Sequence, residues 1–580
     1  MPLAAVMGII FSACEKDMIE IPDPQAETSP AGDDSTGGDI DTDKLDDDVT
    51  KATFDRTVTI TFNGSTASVT GTSEDFSVST DGAGVTITNN GSEAVIYELS
   101  GSSSDGYFKL YSTRKQEILL NGLNLTNKNG AAINNQSHKR TYVVVKGTNT
   151  LADGASYTQT PDEEDEKAAF FSEGQLVFSG DGALTVNATG KAGITSDDYV
   201  RFMDEPTVKV TSTAGHGVRG KEAIIVSDGT IDVTVSGTGK KGFSSDTLVY
   251  FGGGVTTIKT TGSAGEVDGE LTGVAGIKAD LRFEMEDGVL DITSTGTGAK
   301  GISGDNVAYF KGGTVTINVT GANYGTSSSG GGFGPGGGGR PGGGGWPGGG
   351  QSSSSDNSVA SKAIKFDGNM YISGGQVTVR SSKHEAIEAK GVLQITGGEV
   401  YAYSSDDAIN AGGDLTIEGG AVYAQSTGND GLDANGNLFI KGGIVYTLGS
   451  GGAELGIDAN SEAQKKLYLT GGTVISVGGL ESGASLSQTC WSAGTVKSNT
   501  KYALLDGDGN VLCAFKTPSV SNLTLVLSAP SLSKVQYGVE IEDGTELLNG
   551  MFWQKPAVSG GNACNLSSYS GGNGGGGGRW

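Results

Sequence analysis

From Ile133 onward the chain repeats itself. An apolar residue preceded by Ala or Gly recurs as Ile133, Phe170, Ile194, Val218, Phe243, Ile277, Ile302, Ile364, Ile387, Ile409, Leu432 and Ile457. Most steps are 22 to 25 residues, and the three longer ones each hold an insertion: "YTQTPDEEDEK" (157–167), "SAGEVDGELTG" (263–273) and a glycine-rich stretch before Ile364. After each register residue come a turn, an alternating strand such as "LTIEGG", "LFIKGG" or "LQITGG", and a second strand such as "AVYAQS" or "IVYTLG". Period-two alternation marks half-buried strands. About 23 residues holding two or three short strands with glycine corners make one coil of a parallel β-helix. A leucine-rich repeat has a similar length, but its LxxLxL pattern and its Asn are missing. The expected fold is all-β: a parallel β-helix of about twelve coils, with a small C-terminal β-module.

Composition agrees with a turn-rich all-β chain. Of 580 residues 98 are Gly and only 35% are apolar, which disfavours a helical bundle or a doubly wound α/β enzyme. A net charge of -28 argues against a nucleic-acid partner, whose phosphates need a basic footprint.

The segment "VMGIIFSAC" ends at Cys14 and looks like a bacterial lipoprotein signal, although it lacks the usual Lys/Arg start. The domain reading is then a signal over 1–14 with Cys14 as the lipidation site and an acidic disordered tether over 15–56. The β-helix follows over 57–480 with a glycine-rich insertion at 323–358. A β-module over 481–558 and a glycine-rich tail over 559–580 complete the chain. No later run is long and apolar enough for a membrane helix, so the expected membrane contact is the lipid anchor alone. The expected location is the cell envelope, on the outer membrane or the cell surface. Three cysteines remain, and Cys490–Cys513 is one pairing open in an oxidising compartment. The "DGDGN" stretch at 506–510 reads as a hairpin turn, because the Gly and Glu of a calcium loop do not follow.

Coils of a β-helix stack at ~4.8 Å, so each register position becomes a column. Two before the register residue the column reads Ala192, His216, Lys241, Ala275, Lys300, Lys362, Glu385, Asp407, Asp430. One after it reads Thr195, Arg219, Ser244, Lys278, Ser303, Lys365, Glu388, Asn410, Asp433, Asp458. Both are neutral or basic first and acidic later. Stacked carboxylates repel unless something compensates, and calcium, which takes six to eight oxygens, is suited to do so. The candidate ligands are Glu385, Glu388, Asp407, Asn410, Asp430 and Asp433, extended by Asp458 and Glu454, with Asp406 and Asn429 as weaker ones; a solvated acidic edge or local Asx turns are the alternatives. Lys241, Lys300, Lys362 and Lys365 would suit an anionic polymer. In the second strand Val400, Val422 and Val445 are expected inward, which sends Tyr401, Tyr423 and Tyr446 outward. There they form either a stacking surface for sugar rings or a structural aromatic ladder.

The segment "EILLNGLNLTNKNGAAINNQSHKRTYVVVKGTNTLADGASY" (117–157), the units "GKAGITSDD", "GHGVRGKEAI" and "GAKGISGDN", the glycine-rich insertion and "LVLSAPSLSKVQYGV" together resemble a bacterial family of calcium-containing, carbohydrate-binding β-helix proteins shaped like pectate lyases. The resemblance covers roughly 57–550. It implies a right-handed parallel β-helix, bound Ca2+, and binding of cellulose-like and acidic plant polysaccharides without established catalysis. The expected function is a surface-tethered, non-catalytic polysaccharide-binding lipoprotein. The alternatives are a calcium-dependent polysaccharide lyase, for which Arg380 and Lys383 are the nearest candidate bases, and a structural adhesin.

Overall fold

The computed structural model describes residues 47–158, 164–325 and 358–570. They form an all-β solenoid with three parallel faces. The register strands build the first face, which runs through Phe170, Ile194, Val218, Phe243, Ile277, Ile302, Ile364, Ile387, Ile409 and Leu432, each residue directly beside the next. Isolated bridges carry the column on through Ile457 to Leu480. Upstream it continues from Ile133 back to Phe108 and Val85. Two N-terminal coils therefore precede the twelve registers visible in the sequence. In their strands, Ala83–Asn89 and Gly106–Ser112, Val85 follows Gly84 as the other register residues follow Ala or Gly, but Phe108 follows Tyr107 and interrupts the pattern.

The second face holds the short Leu-x-Ile strands, such as Leu393–Ile395, Leu415–Ile417 and Leu438–Ile440. The third holds the strands after the Gly-Gly corner, such as Glu399–Ser404, Ala421–Ser426 and Ile444–Leu448. The corner needs both glycines. At its second position Gly398, Gly420 and Gly443 have φ of 78°, 75° and 74°, a left-handed conformation that costs other residues energy. At its first, a Cβ on Gly397, Gly419 or Gly442 would stand 2.3 Å from a carbonyl oxygen of the preceding coil.

The interior is one continuous core of stacked Val, Ile, Leu and Phe, including the neighbours Phe178–Phe202 and Phe283–Phe310, each with ring centroids 5.2 Å apart. Antiparallel strands end it on both sides. Arg56–Asn63 pairs with Thr66–Thr70, and Phe76–Asp81 with Ala83–Asn89, at the N-terminal end. Thr524–Ser528 pairs antiparallel with Thr473–Val477, the last strand of the third face. The C-terminal module adds a six-stranded antiparallel sheet. Open edges of a long parallel sheet recruit other chains, and these strands cover them.

Several expectations need correction. The tether expected over 15–56 is folded from Asp47. That residue is only 4% exposed and accepts from Tyr199 Oη (2.6 Å) while pairing with Arg140 (3.0 Å) and Arg201 (3.1 Å). The glycine-rich tail expected over 559–580 is strand at Val558–Ala563 and Ser567–Tyr569, because those residues pair with Lys534–Ile541 and Cys490–Thr495. Cys490, Cys513 and Cys564 are all free. Cys490 packs in the solenoid core and Cys513 in the module core, so the pairing considered from sequence does not form. Cys14 and residues 326–357 of the insertion lie outside the described residues.

Candidate functional site

The first face sets its two outward columns side by side, in the register read from sequence. Lys241 lies beside Ala275, Ala275 beside Lys300, and Lys300 beside Lys362. In the second column Ser244, Lys278, Ser303, Lys365, Glu388, Asn410 and Asp433 follow one another.

At the boundary between basic and acidic halves the charges neutralise each other. Lys362 is buried and pairs with Glu385 (2.9 Å) and Glu388 (2.5 Å), and Glu388 also pairs with Lys390. His384 pairs with Glu385 and with Asp406 (3.0 Å). Burial works against the charged imidazole, but Asp406 and Glu385 outweigh it and hold its pKa up at about 9. Burial likewise opposes ionisation of Glu385, and His384 and Lys362 outweigh it and hold that carboxyl below its ordinary range. Glu385 and Glu388 therefore already have protein cations, which lessens their need for a metal, although Glu385 with His384 and Asp406 brings three metal-capable atoms together. Lys362, paired on both sides, is no free anion contact. Lys365 is committed as well, to Asp367 at 2.5 Å.

Beyond that boundary the compensation stops. Among the described residues no Lys, Arg or His pairs with Asp407, Asp430, Asp433 or Asp458. Asn410 Nδ2 donates to Asp407 Oδ2 (3.2 Å) and Asp433 Oδ2 (2.6 Å). The Asp430 amide donates to Asp407 Oδ1 (3.1 Å), and the Leu455 amide to Asp430 Oδ1. These contacts do not offset desolvation. Burial, with Asp433 second, pushes Asp407 up to about 8. Burial, with Glu454 as the nearest charge, pushes Asp430 up to about 7. Burial, with Glu385 second, pushes Asp433 up to about 6. Asp458 is raised by burial and by the Glu481 carboxylate beside it. Glu481 was missed from sequence. The bridge Ile457–Leu480 sets it next to Asp458, and one more 23-residue step along the column would have found it.

These acids lie along two adjacent columns over successive coils, Asp430 and Asp433 sharing one coil, and do not close into a ring. Three metal-capable atoms lie within 4.8 Å of one another, among the described residues, at His384–Glu385–Asp406 and at Asp165–Glu173–Asp197. The first is the His384 ion triad; in the second, Lys167 pairs with Asp165 (2.6 Å) and Asp197 (2.5 Å).

On the third face Val400, Val422 and Val445 point into the core as expected. Tyr401, Tyr423 and Tyr446 do point away from it, but they are not an open surface. Tyr423 is 1% exposed and Tyr446 0%. The C-terminal module lies over them: Phe515 meets the Tyr446 ring at 5.6 Å, and Tyr446 Oη donates to the Lys516 carbonyl at 2.9 Å. Tyr401 stacks on Tyr423 at 4.7 Å. The row is thus a structural ladder under a lid of strands. Arg380 rests on the Tyr401 and Tyr403 rings at 5.3 and 5.1 Å, on a different face from the acidic line.

Half-buried aromatics remain on the second face. Tyr309 stacks on Tyr371 (5.4 Å) and Phe439 on Tyr468 (5.0 Å), with Gln394 and Thr416 between the pairs in the same column.

No curated protein matches the chain. Among solved structures, the gadolinium derivative of a polysaccharide lyase-like protein from C. thermocellum is similar at 20% identity and a TM-score of 0.36, covering 46% of this chain and 99% of its own. The model of the family described as carbohydrate-binding domain-containing protein matches residues 81–408, more than half of the chain, taking in the basic half of the two-column face and ending just past Asp407, and the chain belongs to that family.

Proposed function

We propose that this protein is a non-catalytic, calcium-stabilised polysaccharide-binding lipoprotein, tethered to the cell envelope through Cys14 and directed at acidic or cellulose-like plant glycans. The observation that carries the reading is the set Asp407, Asp430, Asp433 and Asp458, the first two buried and the other two half-buried, which has no cation partner among the described residues. Removing one partner of a buried ion pair is strongly destabilising, and a line of carboxylates that never had partners invites an external cation. The donor set is all oxygen and offers no thiol and no imidazole at these four positions, which favours a hard divalent ion such as Ca2+ over zinc. Asn410 now turns its N–H to two of the carboxylates, and its amide oxygen is a further ligand on reversal of the amide. Glu481 extends the set.

A calcium ion held on this line would have coordination positions left for a uronate carboxylate, and so would connect an acidic glycan to an acidic protein. Of the four lysines expected to contact an anionic polymer, Lys241 and Lys300 keep that role, since neither pairs with a carboxylate among the described residues. The cellulose-like preference is supported by the stacked aromatics of the second face, whose apolar rings and polar neighbours suit pyranose faces. The lyase alternative is disfavoured by Arg380, which is occupied by tyrosines on another face.

The test is retention of metal-stripped protein on polygalacturonate and on cellulose, with calcium and with chelator, while absorbance of unsaturated uronate is followed. Calcium-dependent retention without product is expected. Rising absorbance would make the protein a lyase. Calcium-dependent stability with no glycan retained would leave an adhesin with a structural metal.

A further inference from the structure

The N-terminal half of the same face holds a cavity of about 420 Å3 whose lining includes Lys167, Lys191, Thr195, His216, Arg219 and Lys240 and no carboxylate. In a chain with 67 acidic and 39 basic residues, such a lining runs against the overall charge. Two of the four cations are neutralised elsewhere: Lys167 by Asp165 and Asp197, Arg219 by Asp246 at 2.8 Å. The other two are not. The Lys191 ammonium donates to the Glu166 carbonyl and lies over the Tyr157 ring at 4.5 Å, with no ion pair to a carboxylate among the described residues, while the Lys191 amide donates to Asp153 Oδ2 at 3.2 Å. The Lys240 ammonium has neither hydrogen bond nor ion pair among the described residues; its amide donates to the Gly237 carbonyl at 3.3 Å.

The uncharged groups are donors too. Thr195 is 1% exposed, and its Oγ1 has no hydrogen-bond partner. A buried hydroxyl left unpaired keeps its desolvation cost unless a ligand atom accepts from it. His216 Nδ1 accepts from the Lys241 amide at 3.0 Å, which leaves the ring proton on Nε2, where the described residues offer no acceptor. Burial first, and then Lys241, Lys240 and Arg219, push His216 down to about 3, so the ring stays a neutral donor at neutral pH. Burial and the neighbouring Lys240, Lys278 and Lys300 push Lys241, just outside the cavity, down to about 8. Crowded positive charge here outweighs the nearby carboxylate of Asp280.

We infer that this cavity is a binding site for a compact oxyanion borne by a glycan, received by Lys240 and Lys191 and by the hydroxyl of Thr195 and Nε2–H of His216. A uronate carboxylate and a sulfate ester share this chemistry. The site deepens the polysaccharide-binding reading but does not depend on its metal. From Val218 to Ile409 are six coils, about 30 Å at a ~4.8 Å rise per coil, so a polymer lying along the face would reach both.

The experiment uses the full chain in chelator, which silences the calcium route, and measures binding to polygalacturonate, dextran sulfate and uncharged dextran, with inorganic sulfate as competitor. Binding to at least one charged polymer, competed by sulfate, is expected to persist without metal. It should weaken at least tenfold in Lys240→Ala and several-fold in Thr195→Val, a nearly isosteric change that keeps the fold. Lys209→Ala, an exposed lysine on the third face, should leave it unchanged. Polygalacturonate alone binding would identify a carboxylate, dextran sulfate alone a sulfate ester. Equal binding by Lys240→Ala and wild type, equal loss in Lys209→Ala, or no chelator-resistant binding would overturn the site. Loss of calcium-dependent retention with the chelator-resistant part intact would instead remove the metal reading and leave this one standing.

Discussion

The two halves of the first face are built from the same coil, in the same register, with opposite charge. Upstream of Lys362 its columns hold Lys241, Lys278 and Lys300; downstream they hold Asp407, Asn410, Asp430 and Asp433. Where the halves meet, Lys362 sits between Glu385 and Glu388 and all three are satisfied. Away from the junction Lys278 pairs with Asp280 and Asp305, but Lys241 and Lys300 on one side and Asp407, Asp430 and Asp433 on the other have no ion-pair partner among the described residues. A solenoid cannot bring its two halves together, because every coil touches only its neighbours. Charge separated along the axis stays separated, and neutralisation has to come from outside: cations on one half, oxyanions on the other.

The junction is where the comparison breaks most sharply. Lys362→Met leaves two buried carboxylates without their shared cation, and loss of one partner from a buried pair costs roughly 3–5 kcal/mol. Chemical denaturation should show a loss of that size. A change below about 1 kcal/mol would mean that the junction is not what separates the halves.

Metal removal comes next. If calcium fills the acidic half, saturation at about 100 times its Kd stabilises the fold by ~2.7 kcal/mol. Chelation should lower Tm accordingly, and Asp407→Asn with Asp430→Asn should abolish most of the calcium response. A calcium response that survives both substitutions would place the ion elsewhere.

The pH dependence of the metal-free protein follows from the raised carboxyls. Asp407, Asp430 and Asp433 stand at about 8, 7 and 6, above their ordinary 3.8, so the folded state binds protons that the unfolded chain releases. Their stabilising contribution is complete below about pH 4 and is lost as pH rises through about 6 to 8. In chelator, Tm measured by calorimetry should rise as pH falls from about 8.5 to 5. Calcium, competing with those protons, should flatten the trend. A metal-free Tm that falls over this range would show that the acidic half is compensated from within.

The smallest effect belongs to the basic half. Lys241 stands at about 8, below its ordinary 10.5, so its cost to the fold is present at neutral pH and is relieved as pH rises from about 8 to about 10.5. Lys241→Met should stabilise the protein at pH 7 by no more than about 1 kcal/mol, with no gain at pH 10.5. Destabilisation at pH 7 would show that the lysine has a protein anion after all.

Much of this was legible in the sequence, because a solenoid turns sequence spacing directly into spatial neighbourhood. The twelve register residues fall into one column in the order read, and the two charge columns follow with them. The two earliest coils were missed because Phe108, preceded by Tyr107, breaks the Ala/Gly signature between Ile133 and Val85. Glu481 was missed where the repeat fades, although the step from Asp458 still holds. The tyrosines show the limit of the method. Their direction was right and their exposure wrong, since Lys516 lies 70 residues beyond Tyr446 and no periodicity announces what will fold back over a strand.

Sequence by itself determined the coil, its register, the glycine corners and the charge order along the axis. Each rests on interactions between neighbouring coils, at a separation the repeat makes constant. Tertiary structure alone decided which outward residues remain available. Lys362 and Lys365 are taken by carboxylates, Tyr423 and Tyr446 by the C-terminal module, and Asp47 by two arginines of the solenoid. Availability depends on burial and on partners that side-chain reach and distant segments supply, and the repeat encodes neither.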